Sequence, residues 1–127
     1  MKKTFLIIVF LCFYGMNLSA QSFEDIKKVF KSSLNAFCIR YYDDCFDGRE
    51  YIPNSLTVTD VEYKDEKNTR VKGKHRYLNY LNISATKSYY ADIYTNGSYI
   101  KITFHKQSED VFGDTYWEEC TRDSDDD

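Results

Sequence analysis

The sequence predicts an α+β protein in which one N-terminal amphipathic helix packs on a curved antiparallel sheet of four to five strands. Three observations lead there. Apolar residues recur at three- and four-residue spacing from Phe23 to Tyr41, the period of a helix with one buried stripe. The later chain is rich in β-branched and aromatic residues in partial alternation, punctuated by turn residues at Asp65-Glu66-Lys67-Asn68 and Asn96-Gly97. No long periodic segment separates these strands, so hairpins rather than βαβ crossovers connect them.

The first 20 residues stand apart. A basic start, Met1-Lys2-Lys3, runs into an apolar stretch from Phe5 to Tyr14, and Leu18-Ser19-Ala20 offers small residues before Gln21. This is the pattern of a secretory signal peptide. The apolar run falls well short of the roughly 20 residues that cross a bilayer as a helix. Val9-Phe10-Leu11 is too bulky to make Cys12 a lipidation site. The expected product is an exported soluble protein, periplasmic or extracellular, without stable membrane insertion. Loss of Lys2 and Lys3 leaves 15 basic against 20 acidic residues, a net charge of −5. Four of those acids lie in residues 123–127, read as a disordered tail after a single domain at 21–122. The remaining near-neutral domain does not advertise nucleic-acid binding.

Ser22, three residues before Asp25, is suited to cap the first helix amides. Phe23, Ile26, Phe30, Leu34, Phe37 and Tyr41 form the apolar stripe, and Lys27, Lys28, Lys31 and Asn35 lie off it. Asp43-Asp44 disfavours a helix C-terminus, so the helix is expected to fray near Tyr42. Leu56 to Tyr63 and Arg70 to Leu78 read as a hairpin, the second strand carrying Val71, Gly73, His75 and Tyr77 on one side. Residues 78–86 read as irregular. Asn96-Gly97 suits a two-residue type I′ turn, which pairs Tyr94 with Tyr99, Ile93 with Ile100 and Asp92 with Lys101. Ala91, Ile93, Ile100, Ile102 and Phe104 then share the core face. A last strand is expected from about Val111 to Thr121, with Tyr116 and Trp117 competing for the core. In element order this architecture is similar to the cystatin-like roll. The Gln-x-Val-x-Gly inhibitory loop of cystatins is absent, so the likeness implies fold and not protease binding.

Cys38, Cys45 and Cys120 remain after cleavage, and an oxidising compartment favours one disulfide. The helix is expected to end between Cys38 and Cys45, which makes them the expected pair, with Cys120 free; the alternative is that Cys120 staples the last strand to the helix end or its loop. No C-x-x-C accompanies His75 or His105, so neither a metal nor a cofactor is expected. Cys120 beside His105 or His75 is the only cysteine–histidine arrangement available for nucleophilic chemistry. Adjacent acids in a strand point to opposite faces, which disfavours Glu118-Glu119 as a catalytic pair. Asp43 to Glu50 has the acids of a calcium loop without its spacing.

Tyrosine is the more informative residue. Eleven of the 12 survive cleavage. Tyr90, Tyr94 and Tyr99, with Lys101, are expected on the hairpin face turned away from the helix. Rigid amphipathic rings lose little entropy on association, so this face is the expected binding surface for a protein or a glycan. The reading is a non-catalytic binding module, an inhibitor or immunity-type protein being one form. The alternative is a small-ligand or enzymatic pocket between helix and sheet, served by Tyr77, Tyr116 or His75.

Overall fold

In the computed structural model, which describes residues 22–125, Ser22 Oγ accepts a hydrogen bond from Asp25 N at 3.2 Å and opens helix α1, Phe23–Cys45. The signal-peptide reading and its cleavage point lie outside the described residues. Phe30, Leu34, Phe37 and Tyr41 are buried as their spacing predicts, joined by Cys38 and Tyr42, while Phe23 is exposed. The helix does not fray at Tyr42. Tyr42 Oη is 2.8 Å from His75 Nε2, and Asp43 Oδ1 accepts from Tyr51 N at 3.1 Å. These contacts hold the last turn against the unfavourable acids.

Six strands follow: β1 (Glu50–Tyr51), β2 (Asp60–Tyr63), β3 (Asn68–Leu78), β4 (Ser84–Asn96), β5 (Tyr99–Glu109) and β6 (Thr115–Asp123). They form one antiparallel sheet, ordered β1-β3-β4-β5-β6 with β2 also paired to β3. The sheet curls around α1 as a half-barrel, and the α+β class is that predicted. On β3, Val71, Gly73, His75 and Tyr77 all face the helix and are buried. A Cβ on Gly73 would lie 1.8 Å from Thr57 O, so only glycine permits this approach. The Tyr89 hydroxyl donates to the same Thr57 O at 2.8 Å. With that carbonyl turned inward, hydroxyls supply β3 instead: Thr57 Oγ1 accepts from Lys74 N and Ser55 Oγ from Arg76 N.

The β4–β5 hairpin differs from expectation by a turn position. Asn96 pairs with Tyr99, Thr95 with Ile100 and Tyr94 with Lys101, so the two turn residues are Gly97-Ser98. Gly97 has φ +61°, and no positive φ occurs at Ser98, as a type II′ turn requires. Moving the turn by one residue shifts the opposite partner by two. The side-chain period of two therefore preserves the faces, and Ala91, Ile93, Ile100, Ile102 and Phe104 are buried as expected.

Four boundaries also differ, the first being that the strand expected from Leu56 begins at Asp60. Ser84 to Thr86 belongs to β4 rather than to an irregular link, and Val111 to Asp114 is a turn preceding β6. Asp123 lies within β6, and Ser124 N donates to Ile100 O at 2.9 Å, so the acidic tail begins inside the sheet.

The disulfide joins Cys45 to Cys120, not to Cys38. Because α1 runs through both helix cysteines, seven residues separate them by about 10 Å along the axis, beyond the reach of a disulfide. Cys38 instead faces the core as a buried free thiol, its pKa pushed up by that burial. Near this staple Lys106 is buried, bonded to Ser108 Oγ and to Glu118 Oε1, the latter at 3.1 Å. Burial lowers the Lys106 pKa against the opposing pull of Glu118.

Candidate functional site

The sheet face turned away from α1 carries the polar half of the strand alternation. From β3 come Arg70, Lys72, Lys74 and Arg76, each opposite in phase to the buried Val71, Gly73, His75 and Tyr77. Tyr90 and Asp92 project from β4, His105 and Gln107 from β5, and Trp117 from β6, placed by the registers Lys72↔Tyr90, Tyr90↔His105 and Gln107↔Trp117.

Tyr90 is the centre of this face. Its ring stacks on His105 at 4.1 Å and meets the edge of Trp117 at 4.8 Å, and the Arg70 guanidinium lies 4.4 Å from its centroid. Arg70 is held in place by a two-pronged bond to Asp92, at 2.7 and 3.0 Å. Burial raises the Asp92 carboxyl, but the Arg70 hydrogen bond and charge outweigh it and leave its pKa below the usual value. His105 lies 3.5 Å from Asp92 and 3.7 Å from Glu119. Burial nevertheless keeps the imidazole below its ordinary pKa, against the pull of those two acids.

Beside this stack runs a groove of about 500 Å³, lined in part by Arg70, Lys72, Lys74, Tyr90, Gln107 and Trp117. Neither Lys72 nor Lys74 has an ion-pair partner among the described residues. The groove therefore offers cations along one wall and aromatic surface along the other. An anionic group meets the lysines while a flat or apolar group covers the rings.

The four residues read from the sequence do not form one site. Tyr90 lines the groove. Tyr94, Tyr99 and Lys101 cluster four residues along β4 toward the Gly97-Ser98 turn, with the two tyrosine rings 6.0 Å apart edge-on and Lys101 Nζ 5.8 Å from the Tyr94 ring. Tyr94 and Tyr99 are half-buried rather than freely exposed, because each shields the other and the Tyr99 hydroxyl donates to Asp123 Oδ2 at 2.9 Å. Sequence reasoning missed Arg70, Lys72, Lys74 and Trp117. The alternation of four basic residues with the buried side of β3 was a readable signal for the first three.

Between helix and sheet the described residues are instead closely packed. Tyr42, Phe46, His75, Tyr77, Tyr89 and Phe104 fill the space between helix and sheet with ring contacts of 4.7 to 6.4 Å. Both His75 nitrogens are engaged, Nδ1 with Lys87 O at 2.9 Å and Nε2 with Tyr42. Burial brings its pKa down to about 4. Tyr77 belongs to the same packed core, while Tyr116 is exposed opposite Ser108 on β5. Of the three residues suggested for an internal pocket, His75 and Tyr77 thus meet in the packed core, 5.6 Å apart, and Tyr116 does not join them. Cys120, being disulfide-bonded, is no nucleophile for either histidine.

No family model, curated protein or solved structure matches the chain.

Proposed function

We propose that this protein is a small exported, non-catalytic binding module that engages a macromolecular partner through the outer face of its sheet. The observation that supports it best is the groove of about 500 Å³ between Lys72 and Lys74, without ion-pair partners among the described residues, and the Tyr90–Trp117 aromatic pair. Its chemistry fits an acid-bearing segment with an apolar or planar neighbour, as an exposed loop of a target protein presents. An inhibitor or immunity-type role is one form of this activity. The long-range disulfide suits an oxidising compartment. The packed interior favours this reading over a small-ligand pocket, which needs a cavity.

The test is capture from an envelope extract followed by titration with the purified captured component. Trp117 is the chain's single tryptophan, so its fluorescence reports directly on the groove. Binding that shifts this emission and weakens at least tenfold in Lys72→Glu/Lys74→Glu is the expected result. An interaction that leaves the emission and the double variant's affinity unchanged would overturn the reading.

A further inference from the structure

Two hairpin turns share one construction. In the β3–β4 turn, Asn79 N donates to Ile83 O at 3.0 Å, Asn82 N returns to Asn79 O at 2.8 Å, and Asn79 Oδ1 accepts from Leu81 N and Ile83 N. In the β5–β6 turn, Asp110 N donates to Asp114 O at 2.9 Å, Gly113 N returns to Asp110 O at 3.1 Å, and Asp110 Oδ1 accepts from Phe112 N and Asp114 N. The fourth residue of each has a left-handed backbone, φ +59° at Asn82 and +84° at Gly113. This is a three-residue hairpin loop closed by a left-handed residue, fastened from inside by its first side chain.

Turns of this kind usually carry polar residues at the apex. Here the apices are Tyr80-Leu81 and Val111-Phe112, exposed by 76%, 63%, 94% and 85%, with Ile83 beside them at 59%. Because the strands are antiparallel neighbours, both turns project from the same end of the sheet, beyond the β4–β5 ladder that stops at Tyr89 and Lys106. The Lys87–Glu109 ion pair ties β4 to β5 just below them. Five large apolar side chains thus stand exposed on two fastened tips, and the amides of Leu81, Asn82, Phe112 and Gly113 find partners within the turns.

We infer that this end of the molecule docks reversibly into the headgroup region of a zwitterionic bilayer. Side chains this exposed can be contacted from every side. A fluid apolar phase surrounds them without a matching shape, whereas a rigid partner needs two cavities cut at the spacing of the tips. Internally bonded amides lower the cost of leaving water. Charge selects the lipid. Asp110 and Asp114 flank the second apex, so they meet the outward ammonium of a zwitterionic headgroup favourably and are repelled by an anionic surface. The same acids would face each other in a tip-to-tip dimer of this chain. The contact is shallow, and no helix among the described residues is long and apolar enough to cross a membrane.

Flotation with dioleoylphosphatidylcholine vesicles tests the inference, using the naturally processed protein with its N-terminus established by intact mass. The protein is expected to float, and Leu81→Asp/Phe112→Asp to reduce the floated fraction at least tenfold with an unchanged thermal unfolding curve. Replacing a third of the lipid by phosphatidylglycerol is expected to lower binding. Failure of the wild type to float, or equal flotation of the double variant, would overturn the inference. So would binding strengthened by phosphatidylglycerol. A purified protein that binds the wild type and not the double variant, with no flotation of either, would reassign the tips to a protein interface.

Discussion

Cys45, the last residue of α1, is bonded to Cys120 in β6 across 75 residues, with Cα atoms 5.6 Å apart. The bond clamps the helix end to the sheet's far edge strand. Closing so long a loop stabilises by about 4 kcal/mol on chain-entropy reasoning. Non-reducing peptide mapping should therefore recover Cys45 and Cys120 in one linked pair. Cys120→Ser should lower unfolding free energy by about that amount. Cys38 should resist alkylation until the chain unfolds, since its thiol is buried and its pKa raised.

His75 makes stability depend on pH. A carbonyl can only accept, so Nδ1 carries the proton given to Lys87 O, and Nε2 accepts from the Tyr42 hydroxyl. This neutral tautomer satisfies both buried nitrogens; protonation reverses the second bond, Nε2 then donating to Tyr42 Oη, and leaves a charge inside an aromatic core. With a folded pKa of about 4 against an ordinary 6.5, the unfolded chain binds the extra proton first as pH falls. Stability is full above about pH 6.5 and should decline by about 3 kcal/mol on the way to pH 4. Urea midpoints measured from pH 7 to 4 check this. His75→Leu should flatten the decline, and a wild-type midpoint constant across that window would contradict the assignment.

The fold was legible where periodicity alone decides. The stripe from Phe30 to Tyr41 and the core face of Ala91, Ile93, Ile100 and Ile102 were readable because a period of 3.6 or 2 assigns a face regardless of exact ends. The β4–β5 register was not, since Gly97 can occupy either central turn position and local sequence does not choose between them. The disulfide was misread for a related reason: the bonds from Tyr42 and Asp43 that extend α1 to Cys45 are made to residues distant in sequence. Of the candidate groove, the basic row on β3 was visible as alternation. Its meeting with Trp117 depends on the curl of four strands and was not.

Gly73 should be the least replaceable glycine. A methyl there meets backbone Thr57 O at 1.8 Å and the Tyr89 ring at 3.0 Å, and neither can move without breaking the Tyr89–Thr57 bond. Gly73→Ala should destabilise by about 3 kcal/mol, at the upper end for overpacking. Gly97→Ala, where a Cβ meets nothing, carries only the cost of its positive φ. Thermal unfolding of the two variants side by side measures the difference, and equal losses would show that the close approach to Thr57 is unimportant.

The two tyrosine clusters on the outer face should separate stability from binding. Tyr99 is tied to Asp123 and leans on Tyr94, so Tyr99→Phe should cost about 1 kcal/mol of folding free energy through the lost hydrogen bond. Its effect on partner affinity should be small, because the bond lies toward the hairpin turn and away from the groove. Tyr90 stands between Arg70, His105 and Trp117 at the groove wall. Tyr90→Ala should weaken capture by about 2 kcal/mol, as loss of an interface anchor does. Some stability will go with it, since the ring stacks on His105. Trp117→Ala is the cleaner variant, as its half-exposed ring on the edge strand contributes less to the fold. Affinity and unfolding must therefore be measured on the same preparations. If Trp117→Ala binds as tightly as wild type while Tyr99→Phe loses affinity, the binding surface lies at the Tyr94–Tyr99 cluster and the groove is only the polar side of the sheet.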